Sequence, residues 1–196
     1  MDAMHDTSIY DEASWYAVAT RSRQERVAAS MLEGFGVPNF LPLTHEQRKW
    51  SDRKQVVAVP LFPGYLFVRI PKLRELQLLV LKVPGIVRFV GNHRGPEAIP
   101  DSEIDAVRIV TLHQVPCTPC PVPETGTRVR IVRGILAGIE GTLVHSGSDK
   151  NLVLSVEMIQ QSIAMRVNSL DIEPALRPTS PLSPYVRPML CTQRCS

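Results

Sequence analysis

Pro60-Leu61-Phe62-Pro63-Gly64-Tyr65-Leu66-Phe67-Val68 joins a Pro-Gly turn to a run of large apolar residues. Phe62 and Tyr65 flank the turn, and Tyr65 to Ile70 reads as a strand. Aromatics held on a rigid turn lose little side-chain entropy on docking and would make good binding anchors. They would serve equally as core side chains, and the residues themselves leave both readings open. The apolar stretch Val56 to Val68 is the richest in the chain, yet Pro60, Pro63 and Gly64 interrupt it. No run reaches the roughly 20 residues needed to cross a bilayer.

Upstream of the turn, Arg48-Lys49-Trp50 and Gln55 to Val59 flank the turn-like Ser51-Asp52-Arg53, which predicts a basic hairpin. Asn39 to Leu43 and Trp15 to Thr20 read as earlier strands. Between those two, Ser22 and Glu25 have the S-x-x-E spacing of a capping box. Val27, Met31, Leu32 and Phe35 then form an apolar stripe that Gly34 and Gly36 end. Downstream, Leu73, Leu76, Leu79 and Val80 predict a helix after Pro71. Ile86 to Val90 predicts a strand, and Asp101 should cap a last helix carrying Ile104 and Val107. Strands interrupted by helices indicate an α+β class, with helices packed on a mainly antiparallel sheet.

Beyond Gly126 the pattern is all strand and turn. Thr127 to Val132, Gly141 to His145, Leu152 to Glu157 and Ser162 to Val167 are separated by Gly134, Gly138, Gly147 and Asp149-Lys150-Asn151, a spacing suited to a small β-barrel. Two proline-rich stretches mark boundaries: Val115 to Pro123 reads as a semi-extended linker, and the segment after Pro174 as a disordered tail. The expected organisation is a tail (1–14), a first domain (15–111), a linker (112–125), a second domain (126–174) and a C-terminal tail (175–196). The β-branched strands and glycines of the second domain disfavour a helical alternative, and the prolines favour a barrel joined flexibly to the first domain.

The 196 residues carry a formal net charge of +3, 44% hydrophobic and 21% charged side chains, the ordinary range for a folded globular protein. The charge is segregated. From Trp15 to Arg94 there are 13 Lys or Arg against 5 Asp or Glu, whereas the first twelve residues carry Asp2, Asp6, Asp11 and Glu12. A basic block of this kind suits a nucleic-acid face, although a solvated surface gives the same count. Arg48, Lys49, Trp50, Arg53 and Lys54 combine charge with one aromatic, as single-stranded DNA would require. Arg21 and Arg23 sit beside a predicted helix N-terminus, where the dipole favours anions, and such placement hints at function.

Cys117-Thr-Pro-Cys120 has metal-ligand spacing, and Cys191 and Cys195 form a second pair. Both pairs lie in proline-rich segments poorly suited to orienting ligands, so reduced, unpaired thiols are expected and no metal. The acidic N-terminus lacks a basic end followed by an apolar block, so no secretory signal is read there and a cytoplasmic location is expected. His5, His45, His93, His113 and His145 are scattered, and no phosphate loop or nucleophile elbow is present. No enzyme and no cofactor is expected.

Trp15-Tyr16-Ala17-Val18, the Pro60 to Val68 segment, Val83-Pro84-Gly85-Ile86 and Ile99-Pro100-Asp101 resemble, in order and spacing, the N-terminal domain of NusG proteins. Gly126 to Asn151 is similar to the KOW motif that follows it in the same family. The resemblance covers about 160 of the 196 residues. It implies an NGN-type α/β sandwich followed by an SH3-like KOW barrel, in a monomeric transcription elongation factor. Phe40-Leu41-Pro42-Leu43 followed by the basic hairpin looks like specialised UpxY-type paralogues and, more loosely, RfaH, which act on selected operons as antiterminators. Housekeeping NusG is the alternative, and a ribosome-associated RNA-binding KOW protein a remote one.

The family implies that Phe62, Pro63, Gly64 and Tyr65 meet the clamp helices of the largest subunit of RNA polymerase. It implies that Arg21, Arg23 and the hairpin meet the non-template DNA strand. Met158, Ile159 and Gln160 occupy the turn where relatives bind partners. Ile159 keeps an apolar knob there, so a small-subunit ribosomal protein remains a candidate partner, while the changed flanking residues argue against Rho.

Overall fold

The computed structural model describes residues 13–50, 53–146 and 149–175. The N-terminal half is built on an antiparallel sheet of β1 (Ser14–Thr20), β2 (Asn39–Phe40), β5 (Tyr65–Ile70) and β6 (Ile86–Phe89), in the order β2-β5-β1-β6. A short strand, β9 (Ala98–Ile99), pairs with β1 at Trp15 and Tyr16, beyond the reach of β6. Period-2 alternation places successive side chains on opposite faces. Tyr16, Val18, Leu66, Val68 and Ile70 join Ala28, Ala29 and Leu32 of α1 (Glu25–Gly34) and Val80 of α2 (Arg74–Leu81) in one buried cluster. Trp15, Ala17 and Phe67 face the other way and are covered by Ile104, Val107 and Val110 of α3 (Asp101–Leu112). The expected α+β layering is thus present, with helices on both faces of the sheet.

β3 (Leu43–Trp50) and β4 (Arg53–Pro60) form a separate two-stranded hairpin in unbroken register from Leu43↔Pro60 to Trp50↔Arg53. The Ser51-Asp52 turn lies outside the described residues. A small hairpin of β7 (Gly91–Asn92) and β8 (Gly95–Pro96) completes this half.

The C-terminal half is a six-stranded antiparallel sheet ordered β10-β14-β13-β12-β11-β15. β11 (Thr127–Ile131), β12 (Glu140–Ser146), β13 (Asp149–Val156) and β14 (Gln161–Arg166) overlap the strands the sequence places, but Asp149-Lys150-Asn151, expected as a turn, opens β13 and pairs with Val144 to Ser146 of β12. Leu152, Leu154, Val156, Ile163 and Met165 fill the interior with Val129, Ile131 and Leu143. The edge strands β10 (Cys117–Cys120) and β15 (Ile172–Pro174) carry no alternating apolar signal.

Three local expectations are corrected. Ser22 is not a helix cap: α1 begins at Glu25 after Gln24, which makes no side-chain cap, and the Glu25 carboxylate bonds elsewhere. Asp101 lies inside the first turn of α3, after Pro100. The stretch Val115 to Pro123 does not run as a free linker. Cys117 to Cys120 pairs with β14 in the register Cys117↔Met165 to Cys120↔Ser162, because that edge has open backbone groups to satisfy and an edge strand tolerates Pro119.

The two halves also meet. Val153, on the face of β13 opposite Leu152 and Leu154, is buried and lines a cleft with Ala106 and Ile109 of α3. The barrel is therefore docked on α3, where loose tethering was expected.

Candidate functional site

The Pro63-Gly64 turn is fastened to the connection between β1 and α1. Gly64 takes φ +83, a left-handed conformation that suits glycine. The Thr20 N–H donates to the Gly64 carbonyl at 2.8 Å, and the Gly64 N–H donates to Glu25 Oε1 at 2.8 Å. A second Pro-Gly turn holds the same connection from its other side, since the Arg21 N–H donates to the Gly85 carbonyl at 2.8 Å. Gly85 has φ +94, and a Cβ there would lie 2.9 Å from Gln24 Cβ, so the backbones approach as only glycine allows.

Clamped between these turns, Arg21 and Arg23 are exposed, and Arg23 sits at φ 63. A non-glycine residue in that region costs about 1 kcal/mol or more, and such outliers collect at functional sites. Arg26 Nη2 donates to the Ala58 carbonyl at 2.6 Å, tying α1 to the base of the hairpin. The turn, the two arginines and the hairpin base are thereby brought to one edge of the N-terminal half. Arg48, Lys49, Trp50, Arg53 and Lys54 lie at the hairpin tip by backbone register, and their side chains lie outside what is described.

Within the turn the two aromatics part company. Phe62 is only 1% exposed and packs edge-on against Phe67, ring centroids 6.0 Å apart. It is a core residue and not an exposed anchor. The turn reverses the chain between Phe62 and Tyr65, sending one ring under the sheet and leaving the other half-buried at the surface. Pro63 is exposed beside Tyr65. One surface group had no sequence signal: the Arg108 guanidinium lies 5.2 Å from the Trp15 ring and 5.3 Å from that of Phe40, with Asp105 3.3 Å away. Only the tertiary crossing of α3 over β1 and β2 brings these groups together.

In the barrel, Glu157–Ile159 forms a single 3-10 turn. Ile159 is 5% exposed and belongs to the barrel core, so it is not a protruding knob: the turn closes the barrel end and rolls its apolar residue inward. Met158 is half-buried and Gln160, at φ 53, is exposed.

Where α3 meets the barrel, a cleft of 590 Å³ is lined by Glu103, Asp105, Arg128, Arg130, Glu140 and Glu157 among others. Burial, and then the charge of Glu157, push the Glu103 carboxyl above its ordinary range, against smaller opposing effects of the Glu157 N–H and Arg128. Glu103 Oε2 is buried without a hydrogen-bond partner. Arg128 and Arg130 both reach Glu140 on the neighbouring strand.

Burial raises the Cys117 and Cys120 thiols, and three-residue spacing on a strand puts them on opposite faces, unsuited to joint chelation. Cys191 and Cys195 lie outside the described residues. Among the described residues no group of three or more His, Cys, Asp or Glu could hold a metal ion, and no helix is long and apolar enough to cross a membrane.

A family profile described as "Transcription termination factor nusG" matches residues 13–108. The transcription termination/antitermination protein NusG of Thermus thermophilus is 30% identical over 158 residues, spanning 71% of this chain and 85% of that protein. The chain belongs to the NusG family. Escherichia coli NusG is 29% identical over 180 residues, covering 82% of this chain and 96% of the relative. A solved structure described as "Domain interaction in Thermotoga maritima NusG" shares the fold at a TM-score of 0.51 and 21% identity, over 84% of this chain and 98% of that one. These two NusG relatives are matched over 85% and 96% of their own length, so the likeness extends beyond residues 13–108. The family is one of transcription factors.

Proposed function

We propose that this chain is a transcription elongation factor that seats its Pro63-Gly64-Tyr65 turn on the clamp helices of the largest subunit of RNA polymerase. Seated there, it suppresses pausing and termination. The observation that supports this reading best is the double clamp on the β1–α1 connection. Two Pro-Gly turns hold Arg21 and Arg23 rigidly beside the exposed Pro63 and half-buried Tyr65, so an apolar contact and a cationic one are presented together. A polymerase carrying displaced single-stranded DNA offers the complement: a protein surface for the turn and phosphates for the arginines.

The hairpin extends the cationic part. Arg48, Lys49, Arg53 and Lys54 neutralise phosphates of the non-template strand, and Trp50 offers a ring on which a base can stack. The factor performs no covalent step. It acts by binding one conformation of the polymerase better than the paused one, which shifts their populations in proportion to the difference in affinity.

The specialised reading, in which selected operons are served, rests on the Phe40 to Leu43 segment and the basic hairpin. Phe40 stacks on Phe67 at 6.3 Å, which anchors the start of that segment to the sheet. Met158 and Gln160 are the accessible part of the barrel turn for a ribosomal partner, and the inward position of Ile159 removes the apolar knob on which that pairing was expected to rest, while the changed flanking residues argue against Rho. Chromatin occupancy of the tagged protein tests the specialisation. Enrichment on a few long operons is expected; occupancy on all transcription units would favour the housekeeping role.

A further inference from the structure

Among the side chains the structure describes, Glu25 and Ser162 are the buried polar ones, and Glu25 is the one of the two that can carry charge. Burying a carboxylate is costly unless it is hydrogen-bonded, so the position calls for an explanation. Helix capping does not supply one, because the reciprocal bond to a Ser22 cap is not formed. What the carboxylate does instead is cross 39 positions of sequence to accept the Gly64 N–H at 2.8 Å. The first turn of α1 suits it there, since the free N–H groups and dipole of a helix start favour an anion.

Gly64 is thereby held on both sides, its carbonyl by the Thr20 N–H and its own N–H by Glu25. Thr20 and Glu25 bracket the connection that carries Arg21 and Arg23. Backbone bonds alone would fix one side of the turn. The carboxylate closes the second, so that the turn and the arginine loop form a single rigid unit.

We infer that Glu25 is the positioning residue of the Pro63-Gly64-Tyr65 contact turn, holding it in binding geometry and in fixed relation to Arg21 and Arg23. Glu25 does not touch the partner, being 4% exposed with its carboxylate bonded to the Gly64 N–H. The inference rests on the reading that this turn is the polymerase contact. Its chemical requirement is an acceptor oxygen at the reach of a glutamate, and not merely a negative charge near the helix start.

Two conservative variants of the full chain separate those requirements. Glu25→Gln keeps the acceptor and its reach while removing the charge, and Glu25→Asp keeps the charge but shortens the side chain by one methylene. The Gly64 amide is followed by hydrogen exchange, and affinity for purified RNA polymerase is measured in parallel. Losing a hydrogen bond to a charged group should speed Gly64 exchange and weaken polymerase binding by about tenfold in Glu25→Asp, while Glu25→Gln stays within about threefold of the parent. A helix-dipole role predicts the reverse order, and that order would overturn the inference. So would unchanged Gly64 exchange in Glu25→Asp. If the exchange result holds and binding does not change in either variant, Tyr65→Ala decides where the failure lies. Undiminished binding by that variant refutes the polymerase-contact reading itself; lost binding refutes only the positioning role.

Discussion

Replacing Phe62 by alanine should act on folding, whereas replacing Tyr65 should act on binding. Phe62 is 1% exposed, sits next to the fully buried Leu61 and meets Phe67 edge-on at 6.0 Å. Truncating a phenylalanine in such a site costs about 3–5 kcal/mol through lost burial and the cavity left behind. Small domains have a total stability of roughly 5–15 kcal/mol, so this is a large fraction of it. For a unit on the order of 100 residues, the melting temperature should fall by about 15 °C or more. Tyr65 is half-buried, and its truncation should cost about 1 kcal/mol. Thermal denaturation of each single variant by circular dichroism makes the comparison. Polymerase binding is then measured at a temperature where both are folded. If Phe62→Ala melted within about 5 °C of the parent, the core assignment would be refuted, and with it the division of labour between the two rings.

The interface between α3 and the barrel should depend on pH through Glu103. Its carboxyl is raised above the ordinary 4.5 by burial and by Glu157, with Arg128 opposing. Stability from its protonated form is therefore fully present below that ordinary value and is lost as pH rises through the raised one. Glu103→Gln should match the parent in acid and melt progressively higher than it as pH increases, and a constant difference across pH would contradict this. Replacing Arg48, Lys49, Arg53 and Lys54 by alanine should weaken binding to a DNA-bearing elongation complex more than to free polymerase. The same change should flatten the salt dependence, each lost phosphate contact removing about 0.7 from the slope for single strands. Equal losses in both complexes would count against a DNA role.

Much of the fold was legible because its signals are local. Leu66, Val68 and Ile70 alternate with Phe67 as a two-faced strand must, and the glycine-separated runs of the barrel became β11 to β14, with Asp149-Lys150-Asn151 drawn from the expected turn into β13 by pairing with β12. The readings that failed concern directions set by tertiary contact. Ser22 and Glu25 have the spacing of a capping box, but the carboxylate instead accepts from the N–H of Gly64, distant in sequence. Phe62 and Tyr65 flank one turn symmetrically, and only the sheet on which they land decides which ring is buried. Ile159 reads as a knob because it sits where relatives present an apolar residue to partners, whereas here it is buried in the barrel core. Proline-rich Val115 to Pro123 carries no strand signal of its own and acquires one from the open edge of β14. Glu103 and Glu157 are 54 positions apart, and no periodicity announces that pairing.

The most direct test measures the affinity of the full chain for its cognate RNA polymerase elongation complex, side by side with Tyr65→Ala. The parent should bind and shorten the dwell at a defined pause. The variant, folded by circular dichroism, should lose about tenfold or more in affinity and lose the antipausing effect with it, because anchors of this kind typically contribute about 2 kcal/mol or more. Equal binding by the two folded proteins, or a pause unaffected by saturating parent protein, would contradict the account.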